Sequence, residues 1–369
     1  MPSRTIKTPT GYRAKIPGAL PPQLELTPSL LRTLSDADRL VGRLAGVGEQ
    51  LPNPHVLIRP FVRREAVLSS RIEGTQATLG ELLAAEAGAA VDRSPDDLRE
   101  VGNYVTALEY GTRRLKKLPL SLRLVRELHR KLMTKVRGDH ATPGEFRRTQ
   151  NWIGPLGSTI DNATYVPPPP DTMSECLNDW EQFLHDRSQP PLVQIAMAHY
   201  QFEAIHPFLD GNGRVGRLLI TLFLIERGIL PTPLLYLSAY FESTRRDYYA
   251  HLRGVTEHDA WSDWIEYFLT GIARQSEDAI GRADRILKLL AGWRSQTAGA
   301  GSRVPSLLIE MLAENPYCTT KGVSEHTGVA FATAQRAVEA LVKSKILTEV
   351  TGGKRDRVYC ARALLQILE

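Results

Sequence analysis

His206-Pro207-Phe208-Leu209-Asp210-Gly211-Asn212-Gly213-Arg214-Val215-Gly216-Arg217 is the stretch on which the reading of this chain turns. It lies between two apolar segments, Ala196–Ile205 and Arg217–Ile225. The second is apolar around most of its circumference, the mark of a helix at the centre of a bundle. Gly-Asn-Gly at the mouth of such a helix leaves backbone N–H groups unpaired at the positive end of the helix dipole. The spacing therefore predicts an anion site, with glycines that let a phosphate approach the main chain.

The side chains around this cradle are complementary to a phosphate. Asp210 is a hard oxygen donor suited to Mg²⁺, which binds through one or two carboxylates together with substrate phosphates. Arg214 and Arg217 are three apart, on one helix face, and carry forked donors for phosphate oxygens. His206 precedes the cradle as a candidate general base, a role worth roughly 10²–10⁴-fold in rate. A base, a metal carboxylate, an anion cradle and two arginines are the parts of a displacement at phosphorus.

Outward from this stretch the periodicity is almost entirely helical. Helices are expected from near Ser35, where Ser-Asp-Ala-Asp offers an N-cap, then over 59–73, 79–90, 98–115, 120–135, 172–187, 192–205, 212–227, 248–255 and, with breaks, 261–293. Residues 1–25 read as irregular, with Pro17, Pro21 and Pro22. Trp152, Ile153, Tyr165 and Val166 flank a Gly157–Asn162 turn and run into four prolines, which predicts a β-hairpin and then an extended segment. Ala-Gly-Ala-Gly-Ser within 295–303 reads as a linker. Beyond it, helices over 304–313, 319–326 and 330–344 precede a hairpin built on Ile346–Val350, Thr-Gly-Gly-Lys and Arg357–Cys360, a winged helix-turn-helix. The expected organisation is a helical region over 1–97, a catalytic core over 98–294, the linker, and the winged module over 304–369.

Composition agrees with this and narrows the setting. The 369 residues are 42% hydrophobic and 24% charged, as in a globular protein. No stretch approaches the ~18 uncharged apolar residues of a membrane span, so no membrane partner is expected. The basic N-terminus lacks the apolar core of a secretory signal. Cys176, Cys318 and Cys360 are far apart with no CxxC, which argues for a reducing, cytoplasmic compartment. The net charge of +5 suits phosphate ligands, nucleic acid or plain solubility alike.

With these residues in view, the chain resembles the Fic family. Residues 206–217 match the family signature HPFx(D/E)GNGRxxR at every fixed position, and the wider resemblance spans about 98–274. The resemblance implies an all-α Fic core with a β-hairpin flap, and transfer of AMP from ATP to a Ser, Thr or Tyr hydroxyl of a protein. It implies that His206 deprotonates the hydroxyl and that Asp210 holds Mg²⁺. Asn212, with the Gly211 and Gly213 backbone, would hold phosphates, with Arg214 and Gly216 counted in the same nucleotide site. Arg217 would grip the γ-phosphate and Phe208 would anchor the loop. Tyr248 and Tyr249 resemble the pair that lines the adenine pocket. The segment with Ile153, Gly154, Tyr165 and Val166 resembles the flap that holds the target by main-chain pairing. Gly213 stands where the phosphorylating Doc branch has lysine, which favours AMP transfer.

Ser69-Ser70-Arg71-Ile72-Glu73-Gly74 matches the family's inhibitory pattern (S/T)xxxE(G/N). Ser69 and Glu73 share a helix face. Glu73 falls at the end of its helix, where the dipole disfavours an anion, so it wants a cationic partner. The resemblance supplies Arg217 as that partner and self-inhibition as the consequence. Removal of AMP is also known in the family, and transfer of another nucleotide is a narrower rival. A different class of function, a nucleotide-sensing DNA-binding regulator, rests on Arg336 and Lys343 of the third C-terminal helix and Lys354, Arg355 and Arg357 of the wing. The intact His206 favours the enzyme, because a sensor needs no base. Oligomerisation, as a homodimer, is a candidate means of release.

Overall fold

A computed structural model describes residues 2–50, 55–136, 142–155, 157–298, 302–352 and 356–369. The chain opens with strands β1 (Arg4–Lys7) and β2 (Arg13–Ile16), then the helices α1 (Pro28–Gln50), α2 (His55–Ile72), α3 (Leu79–Glu86), α4 (Pro95–Arg114) and α5 (Leu122–Leu132). Next come α6 (Pro170–His185), α7 (Pro191–Ile205), α8 (Asn212–Glu226), α9 (Ser238–Ser243), α10 (Arg245–His258) and α11 (Trp261–Thr297). The last part holds α12 (Val304–Glu314), β3 (Tyr317–Thr319), α13 (Thr320–Thr327), α14 (Phe331–Lys343), β4 (Thr348–Glu349), β5 (Val358–Cys360) and α15 (Arg362–Leu368). The protein is mainly helical, with small antiparallel sheets.

Local chemistry explains many of the ends. α4, α6, α7 and α12 begin with proline in the first turn, where its missing N–H costs no helical bond. α3 starts on a capping box, in which Thr78 Oγ accepts from Glu81 N and Glu81 accepts from Thr78 N. α7 and α8 are buried on nearly every face and form the centre of the bundle, against α4, α5, α6 and α11. This is what their all-round apolar sequences require.

Several expectations need correction. Residues 1–25 are not irregular throughout: Arg4–Lys7 and Arg13–Ile16 pair as an antiparallel hairpin, because alternating Ile6, Ala14 and Ile16 give it an apolar face. α1 begins at Pro28, so Ser35 lies inside a helix and caps nothing. α11 runs unbroken for 37 residues, through Gly271, Gly281 and Gly292. At Gly271 the reason for glycine is contact, since a Cβ there would run into the Tyr240 ring at 2.5 Å. Among the described residues the hairpin expected around Gly157–Asn162 is reduced to one bridge, Ile153–Tyr165, with Gly157–Asn162 in turns between. Short α9, β3 and α15 carry no periodicity long enough to read in sequence.

The C-terminal part closes on itself as a three-stranded sheet in the order β3-β5-β4 beside α12, α13 and α14. It also packs against α2 and α11. Arg59 pairs with Glu314, Asn315 Nδ2 donates to the Leu83 carbonyl at 3.0 Å, and Arg282 donates to the Ile367 carbonyl. The Gly-rich segment expected as a linker begins within α11, and 299–301 lie outside the described residues. Cys318 and Cys360 fall on neighbouring strands, offset in register, and all three cysteines are free and buried.

Candidate active site

The motif loop begins where α7 stops. His206 takes the left-handed conformation (φ 50°, ψ 60°) and its N–H still bonds the Phe202 carbonyl at 3.0 Å. That reversal turns the chain back toward α8, whose first residues follow Gly211 at φ 77°. Positive φ is costly for a residue with a side chain, and here surrounding bonds enforce it. Asn212 folds the loop by accepting from Phe208 N and donating to Phe208 O, both at 2.8 Å. Phe208 is completely buried and stacks on His129 with ring centres 3.7 Å apart.

Three residues that the sequence did not single out hold this loop. His129 Nδ1 accepts from Gly144 N at 2.8 Å, which leaves Nε2–H to donate to the Asp210 carbonyl at 3.0 Å. Burial pushes its pKa down to about 4, in keeping with that neutral form. Arg147, 2% exposed, donates to the carbonyls of Ile205, His206 and Pro168, and its own N–H bonds Pro207 O. Burial lowers its pKa to about 10, which still leaves it charged at neutral pH. Asn151 donates to Phe208 O at 2.8 Å. These partners lie 55 to 81 positions away in sequence, so no local pattern reveals them.

The catalytic candidate itself is half-buried. His206 Nδ1 sits 3.3 Å from the Glu203 carbonyl, which assigns the proton to Nδ1 and leaves the Nε2 lone pair free. Burial, reinforced by the Arg147 charge, pushes its pKa down to about 4 against the bond to Glu203 O, so the ring is neutral and able to accept a proton. Asp210 is about half exposed; its Oδ1 accepts from Gly211 N at 2.6 Å and lies 3.5 Å from Arg214 Nη2. A carboxylate with its other oxygen free fits a Mg²⁺ held largely by phosphates and water. Among the described residues no cluster of three metal-ligating side chains exists.

The two arginines diverge. Arg214 is buried between Glu100 at 3.6 Å, Asp210 and the Met133 sulfur. Arg217, 2% exposed, turns to the end of α2: Nε donates to Ser69 Oγ at 2.8 Å, and Nη2 donates to Ser69 O at 3.0 Å and Glu73 Oε1 at 2.7 Å. Glu73 follows the last residue of α2, ahead of Gly74 at φ 102°. Burial alone would raise its pKa; the charge and hydrogen bond of Arg217, helped by Arg214 and His206, overcome this and hold it low. Burial likewise works against the Arg217 charge, and Glu73 raises its pKa in return.

Gly213 opens the cradle: a Cβ there would strike the Glu73 carboxylate and come within 2.8 Å of Arg217 Nη1. Gly216 faces away, against α7, where a Cβ would meet Glu203 Oε1 and the Phe202 ring. The Asn212 side chain is 2% exposed and consumed by the loop, leaving its backbone for an anion. Glu203, another residue the sequence reading passed over, has a buried Oε1 with no hydrogen-bond partner. Burial raises its pKa to about 7, with Arg217 opposing and Glu73 adding to the rise. Tyr248 is buried and bonds His199 Nε2 at 2.9 Å, whereas Tyr249 beside it is 39% exposed. Of the aromatic pair only Tyr249 presents its ring at the surface.

In the flap, Ile153 and Tyr165 exchange both main-chain bonds, at 2.8 and 3.0 Å. Trp152 and Ile153 are 42% and 38% exposed. Tyr165 anchors the far side by donating to the Ala204 carbonyl, and Val166 is buried. Gly154 lies so close to Ser158 that a Cβ would collide with its hydroxyl. Leu156 lies outside the described residues.

Comparison with known proteins places a family on this geometry. Residues 31–113 match the Fic/DOC family N-terminal model and residues 119–224 the Fic/DOC family model. The "Protein adenylyltransferase Fic" of Drosophila grimshawi is 34% identical over 194 residues, 51% of this chain and 37% of that protein. That of Drosophila virilis is 36% identical over 166 residues, 43% of this chain and 32% of its own. The chain thus spans about a third of the length of the curated relatives it matches. A Fic family protein from Desulfovibrio desulfuricans shares the fold with a TM-score of 0.61 over 92% of this chain and 98% of that one, at 20% identity. Fic-1 from C. elegans does so with a TM-score of 0.54 over 68% and 72%, at 24% identity.

Proposed function

We propose that this chain, a Fic/DOC family protein with the family's N-terminal and Fic domains, is a protein adenylyltransferase restrained by its own Glu73. The observation that carries the reading is the neutral His206 ring, its Nε2 free, set beside the N-terminus of α8 while Arg217 of that helix is occupied by Glu73. ATP is the substrate. Nε2 of His206 takes the proton of an acceptor Ser, Thr or Tyr hydroxyl as its oxygen attacks the α-phosphorus. The new P–O bond forms as the bond to the β-phosphate breaks, pyrophosphate leaves, and the imidazolium returns its proton to water. The α8 N-terminus and the amides of Gly211–Gly213 stabilise the phosphates. Asp210 would hold Mg²⁺, which when bound neutralises phosphate charge. Arg217 grips the γ-phosphate once Glu73 lets go, and the exposed edge at Ile153 and Gly154 holds the target chain.

The C-terminal part is best read as a winged helix that selects partners, with 1–97, 98–294 and 304–369 as the working divisions. A DNA-binding regulator is the second reading, favoured by Arg336 and Lys343 exposed on α14. Against it, Glu339 shares that face, and Arg357 lies near Glu349; Lys354 and Arg355 lie outside the described residues. No helix of the described residues is long and apolar enough to cross a membrane, and the free cysteines suit a cytoplasmic setting. Intact-mass spectrometry after incubation with Mg-ATP tests the reaction. Glu73→Gly should gain the mass of AMP, and Glu73→Gly combined with His206→Ala should not. A Glu73→Gly protein that stays unmodified and leaves a panel of hydroxyl-bearing proteins unmodified would sink the assignment.

A further inference from the structure

The outward face of the β1–β2 hairpin serves none of the roles above. Its register pairs Thr5 with Lys15, Ile6 with Ala14 and Lys7 with Arg13. Because side chains alternate across a ladder, Ile6, Ala14 and Ile16 share the inner face, and Thr5, Lys7, Arg13 and Lys15 share the other. Ala14 and Ile16 are buried; Thr5, Lys7 and Arg13 are exposed and Lys15 is partly so. None of these three cations has an ion-pair partner among the described residues. Single surface lysines are ordinary, but three uncompensated cations on one four-residue ribbon make a local positive field.

The position of this ribbon gives the field a use. Lys15 N donates to the Val166 carbonyl at 2.8 Å, so β2 is tied to the segment whose Tyr165 bridges Ile153. Tyr12 Oη donates to Gln150 Oε1 at 2.9 Å, and Gln150 Nε2 donates to Asn151 O and Pro167 O. Asn151 in turn donates to the Phe208 carbonyl of the motif loop. The hairpin is therefore bolted through hydrogen bonds to both the flap and the loop that carries His206. On its other side β1 is the end strand of its sheet, and its outer main-chain edge is unpaired among the described residues. A free strand edge pairs with a polypeptide, not with a nucleic acid or a lipid headgroup.

We propose that the outward face and free edge of the β1–β2 hairpin dock an acidic segment of the target polypeptide next to its modified hydroxyl. This rests on the adenylyl-transfer reading and adds a substrate class to it. The experiment uses the full chain carrying Glu73→Gly, labelled ATP, and two synthetic hydroxyl peptides of equal length, one with Asp/Glu flanks and one with neutral flanks. The acidic peptide should be modified with about tenfold higher kcat/KM, since three surface charge pairs each contribute modestly. That advantage should shrink at ~0.5 M salt, where screening is nearly complete beyond ~4 Å. Lys7→Glu/Arg13→Glu/Lys15→Glu should abolish or invert the preference while leaving transfer to the neutral peptide unchanged. Equal rates for the two peptides, or a preference that survives the triple substitution, overturn the docking face alone. Inhibition by a short DNA duplex at lower concentration than by a non-acceptor acidic peptide reassigns the face to nucleic acid and also overturns it. Absence of AMP on every peptide and on the chain itself overturns the transfer reading together with it.

Discussion

Replacing Glu73 by glycine tests the proposed brake apart from the rest of the site. Arg217 makes three hydrogen bonds to the end of α2, two to Ser69 and one, at 2.7 Å, to Glu73. A hydrogen bond between charged partners is worth about 1.5–3 kcal/mol. The Glu73 side chain is 35% exposed, and solvent screening of that carboxylate brings the value toward about 1–2 kcal/mol. A nucleotide that needs Arg217 for its γ-phosphate must first break this bond. Its removal should therefore tighten ATP binding by a similar amount, roughly 5–30-fold. ADP has no γ-phosphate to compete for Arg217, so its affinity should change little. Isothermal titration of a non-hydrolysable ATP analogue and of ADP, each with Mg²⁺, into wild type and Glu73→Gly measures both. Equal gains for the two nucleotides, or no gain for the ATP analogue, would refute the claim that Glu73 competes with the γ-phosphate.

Other outcomes follow from the same geometry. Phe208→Ala empties a fully buried site stacked on His129 and should destabilise the protein by about 3–5 kcal/mol in urea unfolding. Arg147→Ala leaves the carbonyls of Ile205 and Pro168 without their donor and that of His206 with only the 3.4 Å bond from Asn151, and should cost at least ~3 kcal/mol and most of the activity. The Glu203 carboxyl has its pKa raised to about 7 in the folded state, above the ordinary 4.5, so the stability it contributes is full below about 4.5 and lost as pH rises through 7. Glu203→Gln should thus be more stable relative to wild type at pH 8 than at pH 5; a gap that does not widen over that range would contradict the raised value. His206, pushed down to about 4, holds its share of stability above the ordinary imidazole range and loses it as pH falls toward 4. His206→Gln should lessen the acid-induced loss of stability between about pH 6.5 and 4, as read by thermal melts.

Much of this architecture was legible because the signals were local. The all-round apolar character of 192–205 and 212–226 marked two central helices, and prolines at first-turn positions marked several starts. Trp152, Ile153, Tyr165 and Val166 read as paired strands, but pairing also needs an unbroken run of main-chain partners. Among the described residues only Ile153 and Tyr165 meet as partners across that loop. Pro155 within the segment and Pro167–Pro170 after it withhold donors from any longer ladder. Arg214 and Arg217 share a helix face by spacing, yet spacing does not say which carboxylates wait at the end of a long side chain. Glu100 draws one and Glu73 the other.

By itself the sequence determined that glycines open the start of α8, that an imidazole precedes them, and that the carboxylate of Glu73 calls for a cation. These depend on glycine freedom, helix ends and charge placement, all set within a few residues. Only the tertiary structure decided that Gly216 serves helix packing, that Tyr248 is core, and that His129 and Arg147 brace the motif loop. The physical reason is one of range. A buried polar atom must find a partner wherever the fold brings one, and that partner stands tens of residues away along a chain whose local patterns carry no trace of it.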